Sequence, residues 1–418
     1  MGLDMLRSRP LLGFLIGFLG PVLLVAPGCL RTLDESRIGQ NHGNPDASAG
    51  SGGSAGTDAS TGGSGGQVDG GGGVSGDAAT DGDADAIVDA RPEAGFTAYD
   101  NSQHPVTPLA GGTGRRIVAV DNTTVFVTDY SSTYAKATLS SIPLAGGQAT
   151  IVTSANLSAP QAMVAPSSSL YVYYAGATQT DNGVLGRFLK DPGGAANPEQ
   201  PITTSTGFGR TVGIVAGNDT HAYVSTRAPV SGAPLVLRFS LAGGVSQAQV
   251  LTVADANNQT GGPITMSQGC VYFINNGGVW VLPTAGGSKA SPALAKQITD
   301  AVDITSDSSN IYYTRSNGEV WQNPLSGKAC DGSNAAEQFI AWGYTQIGRI
   351  AVYDSTVVWA AAGDASNNFD GGGIFTTPIG GYDVVQIAPQ DNGVDDIAVG
   401  PNEIVYSTSN GVIRKVKK

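Results

Sequence analysis

From about residue 104 onward, apolar and polar residues alternate in short runs that turn residues interrupt every few positions. The runs are rich in Val, Ile, Tyr and Thr, and turns containing Gly and Asn separate them, with hardly any helical periodicity. Alternation with period two between turn signals is typical of half-buried β-strands. The pattern therefore predicts an all-β fold for this part of the chain.

A longer repeat organises these runs, because an aliphatic residue is followed nine positions later by an aromatic one. The copies are Ile117 and Phe126, Ile214 and Tyr223, Ile264 and Phe273, Ile304 and Tyr313, Ile350 and Trp359, and Ile397 and Tyr406, with a weaker copy at Ala162 and Tyr171. Successive copies are 45, 52, 50, 40, 46 and 47 residues apart. That period suits a four-stranded propeller blade. We predict a seven-bladed β-propeller over residues 96–418.

A third strand follows each aromatic residue and often ends in a Pro or a small hydrophobic residue before a pair of glycines. Examples are "SSIPLAGG", "LRFSLAGG", "VWVLPTAGG" and "IFTTPIGG", with "VWQNPLSGK" as a variant. A glycine pair can turn the chain without steric cost. The predicted unit is three strands, a tight turn and a shorter fourth strand.

The repeat resembles a bacterial propeller repeat of the type "IAVDxxxVYWT" followed by "GxVxxxPLxGG". It is carried by "RIAVYDSTVVWA", "DIAVGPNEIVYST" and "DITSDSSNIYYTRSNGEVWQNPLSG". It is similar to the YWTD and NHL propellers, and the resemblance covers residues 104–418. YWTD propellers have six blades whereas we count seven, so their ligands are not carried over. Repeats of this kind occur in exported lipoproteins.

The last copy of the repeat, "DDIAVGPNEIVYSTSNGVIRKVKK", contains only three strands. A propeller must pair its last blade with its first or leave exposed edges. The segment "HPVTPLA" at residues 104–110 lies just before the first inner strand, where fourth strands precede the later copies. We predict that it supplies the missing strand and closes the ring.

The N-terminus has the layout of an export signal. Arg7 and Arg9 precede an apolar run over residues 11–26, which is short for a bilayer span, and then come Pro27, Gly28 and Cys29. A Cys after a small residue resembles the lipobox of bacterial lipoproteins. The resemblance implies a signal peptide over residues 1–28, acylation of Cys29 and, because Leu30 rather than Asp follows, an outer-membrane location. Simple secretion and an uncleaved anchor are the alternatives.

Residues 29–95 form a Gly-, Ser- and Asp-rich linker. Such a composition has too few large apolar side chains to offset the entropy lost on ordering, so we expect a disordered stalk. Residues 30–100 carry 12 Asp plus Glu against 3 Lys plus Arg, a net charge of −9. The acidity argues against nucleic acid as a partner. We expect a monomer that binds the membrane through its lipid.

Few residues point to catalysis or to metal binding. His42 lies in the linker, His104 in the closing strand and His221 before a second strand, so a three-histidine metal site is not expected. No GxSxG motif or phosphate-binding loop appears. A weak calcium candidate is the loop "AGDASNNFDGGG", which holds Asp364, Asn367, Asn368 and Asp370. The same residues suit hydrogen-bonded turns, so no cofactor is expected.

Two cysteines lie in neighbouring predicted blades. Cys270 begins a second strand, and Cys330 lies in the next blade's turn between its third and fourth strands. Those two kinds of turn emerge on one face of a propeller, and export permits oxidation. A disulfide between them is one hypothesis, and two free thiols are the other.

The residue before each repeated aliphatic position should lie at the mouth of the central channel. In blade order these residues are Arg116, Gln161, Gly213, Pro263, Asp303, Arg349 and Asp396. One interpretation is a belt of salt bridges between blades. The other is a polar pocket for a charged or sugar-like ligand.

The sequence favours a binding or scaffolding module that is tethered in the cell envelope, with a protein or polysaccharide as its partner. The alternative is an extracellular lyase or hydrolase with its site at the channel mouth. A cluster of His or carboxylate groups at that mouth would favour the enzyme.

Overall fold

The computed structural model describes most of the chain from Phe96 to the C-terminus. The described residues are 96–110, 115–129, 137–157, 160–178, 182–193, 197–204, 207–218, 220–227, 234–242, 247–253, 261–275, 278–285, 293–325, 330–332, 336–342, 347–363, 372–389 and 393–418. Cys29, His42 and the four calcium candidates Asp364, Asn367, Asn368 and Asp370 lie outside them. Within these ranges, no helix has the length and apolarity that a membrane span requires.

The described residues form thirty β-strands, of which twenty-eight build seven four-stranded sheets. In chain order they are β1 (Phe96–Thr97), β2 (Thr107–Ala110), β3 (Arg115–Val120), β4 (Thr124–Asp129), β5 (Ala137–Pro143), β6 (Thr150–Leu157), β7 (Pro160–Val164), β8 (Tyr171–Ala177), β9 (Gly183–Leu189), β10 (Gln200–Pro201), β11 (Thr203–Thr204), β12 (Thr211–Asn218), β13 (His221–Thr226), β14 (Pro234–Ser240), β15 (Gln247–Val253), β16 (Gly261–Ser267), β17 (Cys270–Asn275), β18 (Gly278–Pro283), β19 (Ala293–Gln297), β20 (Ala301–Ser306), β21 (Asn310–Arg315), β22 (Glu319–Pro324), β23 (Gln338–Trp342), β24 (Ile347–Tyr353), β25 (Thr356–Ala361), β26 (Gly373–Pro378), β27 (Val384–Pro389), β28 (Val394–Val399), β29 (Glu403–Thr408) and β30 (Ile413–Lys417).

The seven sheets are the blades of a propeller, and within each blade neighbouring strands are antiparallel. From the inner to the outer strand, the blades are β3 to β6, β7 to β10, β12 to β15, β16 to β19, β20 to β23, β24 to β27, and β28, β29, β30 and β2. Each inner strand contacts the inner strand of the next blade, and β28 of blade seven contacts β3 of blade one. The predicted all-β propeller with seven four-stranded blades is confirmed.

The antiparallel order gives the disk two distinct faces. Inner and third strands run in the same direction, so their ends meet at one face with the turns that follow them. We call this face the lower face. The upper face carries the turns after the second strands and the connections into the inner strands, so the inner strands begin there.

The N-terminal strand β2 closes the ring by pairing with the C-terminal strand β30. Thr107 lies opposite Lys415, Pro108 opposite Arg414 and Ala110 opposite Ile413, in antiparallel register. Leu109 of this strand is buried in the core. The predicted closing strand is therefore correct, and blade seven is built from both ends of the described chain.

Two short strands extend outer edges of the disk. Strand β1 pairs in parallel with β27 of blade six, and β11 pairs in parallel with β15 of blade three. Phe96 lies opposite Val384, the first residue of β27. Because β27 begins just after a lower-face turn, the linker joins the disk at its rim near the lower face.

The core is formed where the second strands of successive blades pack large side chains against the next sheet. Fully buried aromatic residues on second strands are Phe126, Tyr173, Phe273, Tyr312, Tyr313, Trp359 and Tyr406. Burying an apolar side chain of this size contributes about 1.5–3 kcal/mol. In four blades the repeated aliphatic and aromatic residues lie directly opposite each other, for example Ile304 with Tyr313 and Ile350 with Trp359.

In the other three blades the repeated aliphatic and aromatic residues do not lie directly opposite each other. In blade one Phe126 lies opposite Ala119 rather than Ile117, and in blade three Tyr223 lies opposite Val215. In blade two Ala162 lies opposite Ala175. The turn between the inner and second strands differs in length between blades. In blades one and three the aromatic residue is also one position closer to the start of the second strand than in blade five. The nine-residue spacing therefore does not determine how the inner strand pairs with the second strand.

The residue that follows each third strand ties together the turns of the lower face. Its backbone N–H donates to the last residue of the first turn in the same blade, in the pairs Leu144 with Thr123, Leu241 with Thr220, Thr284 with Gly269, Leu325 with Ser309, and Ile379 with Ser355. In three blades its carbonyl also accepts from the preceding blade, from Lys415 Nζ to Leu144 (2.6 Å), Tyr173 OH to Leu241 (2.8 Å) and Arg238 Nη1 to Thr284 (2.7 Å). The residue after the third strand therefore links its own blade's turns and, in these three blades, the preceding blade.

A disulfide joins blades four and five at the lower face. The bond links Cys270 at the start of β17 to Cys330 in the turn between β22 and β23, with their Cα atoms 5.5 Å apart. This is the pairing that the sequence raised as a hypothesis. The bond spans 60 residues of chain, so it restricts the unfolded chain strongly.

The closing strand can be tested by deletion. Removing residues 104–109 should expose the edge of β30 and take Leu109 out of the core, so we expect the melting temperature to fall by more than 10 °C. The melting curve of the full chain is compared with that of a variant lacking residues 70–75 of the linker. Equal melting temperatures for the two deletions would show that another strand closes the ring.

The disulfide can be tested by replacing both cysteines with serine. The chain-entropy model predicts a loss of roughly 4 kcal/mol in the free energy of unfolding for a loop of this length, measured by urea denaturation. A Cys29→Ser background removes the third thiol. In that background the denatured, unreduced protein should contain no free thiol, and a count of two would contradict the bond.

Candidate functional site: the polar ring at the channel

Three ionisable side chains from consecutive blades lie at equivalent positions near the upper ends of the inner strands. Asp303 lies opposite Thr314 in blade five, Asp396 opposite Ser407 in blade seven, and Arg349 directly precedes Ile350 in blade six. Their exposed fractions are 1%, 0% and 4%. These residues, which the sequence placed at the mouth of the central channel, are therefore buried.

Each aspartate accepts a backbone hydrogen bond from the inner strand of the following blade. Ile350 N donates to Asp303 Oδ2 at 3.0 Å, and Val118 N donates to Asp396 Oδ2 at 3.1 Å. An inner strand has a free edge toward the channel, so some of its N–H groups lack a partner in the sheet. The carboxylates satisfy two of these groups and link blade five to six and blade seven to one.

Arg349 connects the sixth and seventh blades by an ion pair. Its Nε lies 3.2 Å from Asp396 Oδ1. Asp396 therefore contacts blade six through its charge and blade one through its hydrogen bond. Because a buried ion must be compensated by a partner, neither Arg349 nor Asp396 can be changed without leaving the other group exposed to an apolar environment.

The environment of Asp396 shifts its proton affinity. Burial raises the pKa of this carboxyl from 3.8 to about 7, while Arg349 and the Val118 N–H act to lower the pKa and nearby Asp303 acts to raise it. Desolvation is the largest of these effects because it disfavours the charged carboxylate. A pKa in this range can mark a proton-transfer group, but Asp396 is completely buried and held by two neighbouring blades.

Two other predicted members of the belt lie one residue before the position that Asp303 and Asp396 occupy in their strands. In blade one the register places Ile117 opposite Thr128, and in blade two it places Ala162 opposite Ala175. Arg116 and Gln161 are the extra residues of β-bulges at these points. Asp303 and Asp396 instead follow the bulges of their own strands, and the participation of Arg116 in the belt stays a prediction.

Gln161 still forms a contact between blades. It is 4% exposed, and its Oε1 accepts a hydrogen bond of 2.8 Å from Arg210 Nη2 in blade three. Arg210 directly precedes β12. The sequence pattern did not identify Arg210 because it lies outside the repeated aliphatic and aromatic positions.

A second polar cluster lies between blades four and five, farther from the channel. Arg315 Nη2 donates to Glu337 Oε1 at 3.1 Å and its Nη1 lies 3.6 Å from Glu319 Oε2. Lys296 Nζ of blade four lies 3.3 Å from Glu337 Oε2, and the Arg315 guanidinium lies over the Trp321 ring at 4.5 Å. This cluster joins the same two blades as the disulfide.

The described histidines do not form a shared site. His104 precedes the outer strand of blade seven, whereas His221 begins the second strand of blade three. The pKa of His221 is lowered by burial and by Arg238. Over the described ranges, no group of three or more His, Cys, Asp or Glu side chains is arranged to hold a metal ion.

The geometry of the ring fits a structural role best. Both carboxylates are bonded to backbone groups of the next blade, and the guanidinium is paired with one of them. These side chains point toward neighbouring sheets and are almost inaccessible to solvent. Of the two interpretations of the sequence, the belt between blades agrees better with these contacts than the ligand pocket.

No protein-family model matches the chain, and no curated protein matches it. Solved propellers share its fold. A catalytically inactive virginiamycin B lyase from Staphylococcus aureus, solved with quinupristin, has a TM-score of 0.54 at 13% identity, covering 76% of this chain and all of that one. YCF48 from Cyanidioschyzon merolae has a TM-score of 0.52 at 13% identity over 75% and 98% of the two chains.

The WD40 domain of coronin from Toxoplasma gondii has a TM-score of 0.51 at 8% identity, covering 75% of this chain and 86% of that one. At such identities the likeness concerns the fold alone. It agrees with the seven-bladed architecture described above.

The polar ring of Asp303, Arg349 and Asp396 can be tested with Asp396→Ala. The change removes the acceptor for Val118 and leaves Arg349 buried without its partner, so we expect the free energy of unfolding at pH 7 to fall by roughly 3–5 kcal/mol. The matched control is Asp383→Ala, which removes an exposed aspartate from a lower-face turn and should change stability by less than about 0.5 kcal/mol. Equal effects would show that the ring does not stabilise the fold.

The raised pKa of Asp396 predicts a pH dependence. The folded state binds this proton more tightly than the unfolded state, so the resulting stabilisation is complete below about pH 4 and is lost as pH rises through about 7. We expect the stability of the wild type relative to Asp396→Asn to decrease from pH 4 to pH 8. Urea unfolding at each pH measures it, and a relative stability that increases with pH would contradict the assignment.

Proposed function

We propose that the protein is an exported lipoprotein whose propeller acts as a binding or scaffolding module in the cell envelope. In this proposal Cys29 carries the lipid, the linker over residues 29–95 gives reach, and the disk presents its two faces to a protein or a polysaccharide. The outer membrane is the proposed location, because Leu30 rather than Asp follows the lipidated cysteine.

One observation favours a binding or scaffolding module over an enzyme. Three ionisable groups on inner strands are engaged with neighbouring blades, through Asp303 with Ile350, Asp396 with Val118, and Arg349 with Asp396. Such contacts hold the blades in a fixed arrangement. A rigid disk with variable turns on both faces is suited to recognition, because loops on a rigid scaffold carry binding residues.

The position of the linker supports the tether. The described chain begins at Phe96, on the rim of blade six near the lower face. A Gly- and Ser-rich chain of some 65 residues has a root-mean-square length of roughly 45 Å. The disk could therefore reach partners well above the membrane surface without leaving its anchor.

The enzyme alternative has weaker support. The virginiamycin B lyase shares the fold at 13% identity, and function resides in sites that differ between proteins of one fold. An enzyme of this kind would need an accessible group for proton transfer at the channel. Asp396, whose pKa is raised to about 7, is fully buried.

Capture from envelope extract tests the module. The full chain, solubilised in detergent and immobilised through a C-terminal tag, should retain a specific protein or polysaccharide, and an unfolded sample should not. Retention of no partner, together with turnover of an extracellular sugar substrate, would favour the enzyme instead.

Lipidation is tested with Cys29→Ser. The acyl chains contribute about 0.8 kcal/mol for each buried methylene, so loss of the cysteine should move the protein from the membrane fraction to the soluble fraction and abolish labelling with radioactive palmitate. Leu30→Asp should retain labelling but change the membrane that holds the protein. Palmitate labelling of the Cys29→Ser protein would contradict the assigned lipid site.

A further inference from the structure

The disulfide between Cys270 and Cys330 holds a short turn of blade five against blade four. We call residues Cys330–Gly332 the latch turn. They belong to the connection between β22 and β23, whereas Cys270 begins β17 of blade four. Gly332 lies directly against the outer strand of blade four, because a Cβ atom added to it would be 2.7 Å from Leu294 O and 3.3 Å from Ala293 Cβ. The latch turn therefore rests on β19 although it belongs to blade five.

The backbone of the latch turn adopts an unfavourable conformation at Cys330. Of the described non-glycine residues, Gln268, Cys330 and Asp354 have positive φ angles, and that of Cys330 is 43°. Gln268 and Asp354 lie in two-residue turns between inner and second strands, where such angles are common. Cys330 lies in a longer connection, and a non-glycine residue keeps this conformation only where its surroundings hold it. The bond to Cys270 is a covalent restraint of this kind, so cutting the bond should let the turn relax.

The two sulfur atoms differ in their access to a reductant. Cys270 is 1% exposed and packs in the core between blades four and five, whereas Cys330 is partly exposed at the lower face. A thiolate therefore reaches Cys330 Sγ first and expels the thiolate of Cys270, whose apolar surroundings disfavour the charged form. A single thiol can be displaced again by Cys270, whereas a dithiol completes the exchange with its second sulfur.

Other contacts between blades four and five do not involve the sulfurs. Gln268 Nε2 donates to Ser308 O at 2.6 Å, and Ser306 Oγ donates to Met266 O at 2.9 Å. The inner strands β16 and β20 also contact each other. The packing of blade four on blade five can therefore persist after reduction, which confines the effect of reduction to the latch turn and the strand beneath it.

We propose that this disulfide is a redox-sensitive latch, which a protein dithiol opens in the folded propeller. Opening releases the latch turn from β19 and changes the lower face of blades four and five, while all seven blades remain folded. The latch does not depend on the proposed binding module, since neither a lipid anchor nor an envelope partner takes part in it.

The exchange balances as a two-electron reduction. One thiolate of the dithiol attacks Cys330 Sγ, the bond between the two cysteines breaks, and Cys270 leaves as a thiolate that takes up a proton. The second thiolate of the dithiol then attacks the mixed disulfide and releases Cys330, which is protonated in turn. The products are two cysteine thiols and the oxidised dithiol, so two electrons and two protons pass from the dithiol to the protein.

Reduction of the folded full chain tests the latch. In a Cys29→Ser background, the protein is treated below its unfolding transition with dithiothreitol or with 2-mercaptoethanol at the same thiol concentration, and free thiols are counted after alkylation. We expect dithiothreitol to yield two free thiols and 2-mercaptoethanol to react at least about tenfold more slowly. Equal rates would contradict a dithiol as the reductant, and no free thiol after dithiothreitol would overturn the latch.

Hydrogen exchange measured by mass spectrometry locates the change. In the reduced protein the backbone amides of β19 should exchange at least about tenfold faster, while those of β29 in blade seven should change by less than about twofold. The matched control is Cys270→Ser with Cys330→Ser in the same background. It should show the faster exchange of β19 without a reductant and no further change when dithiothreitol is added.

Two results of the exchange measurement would overturn the latch. Unchanged exchange of β19 in the fully reduced protein would show that the bond stabilises the fold without controlling the turn. Equal acceleration in β19 and β29 would show that reduction unfolds the whole propeller.

Discussion

The propeller depends on the pairing of β2 with β30. Each blade buries its faces only against two neighbours, so the seven sheets form a continuous core only when the first and last blades are held together. Thr107 opposite Lys415 and Pro108 opposite Arg414 make that link by backbone hydrogen bonds. Asp396 to Val118 and Lys415 to Leu144 reinforce it with side chains from blade seven that bind blade one.

The architecture could be predicted from the sequence because the residues that determine it recur at regular intervals. Aliphatic and aromatic residues recur on inner and second strands, and each glycine pair ends a third strand, so seven blades and the missing fourth strand follow from counting. The side chains of the ring were harder to place. Arg116 and Gln161 are the bulge residues of their strands, whereas Asp303 and Asp396 follow the bulges of theirs, and the spacing of apolar residues does not distinguish these two positions.

Other contacts had no sequence signal that pattern analysis could use. Arg210 reaches Gln161 across 49 positions of sequence, and Arg315 meets Lys296 of another blade only through their shared partner Glu337. Such contacts depend on how neighbouring sheets are rotated against each other. The hydrophobic pattern determines that sheets pack, whereas the polar contacts between them depend on individual side chains.

The order in which the chain is synthesised determines when β2 and β30 can pair during folding. Strand β2 is synthesised before every blade, and its partner β30 comes last, about 300 residues later. The six blades between them can pair locally as they appear, because each is a set of successive hairpins. The long-range pairing must wait for the final residues, and contacts between distant parts of a chain form slowly. Until then, the edges of β2 and β30 are open to other chains, so the final step of folding is also the step most exposed to misassembly.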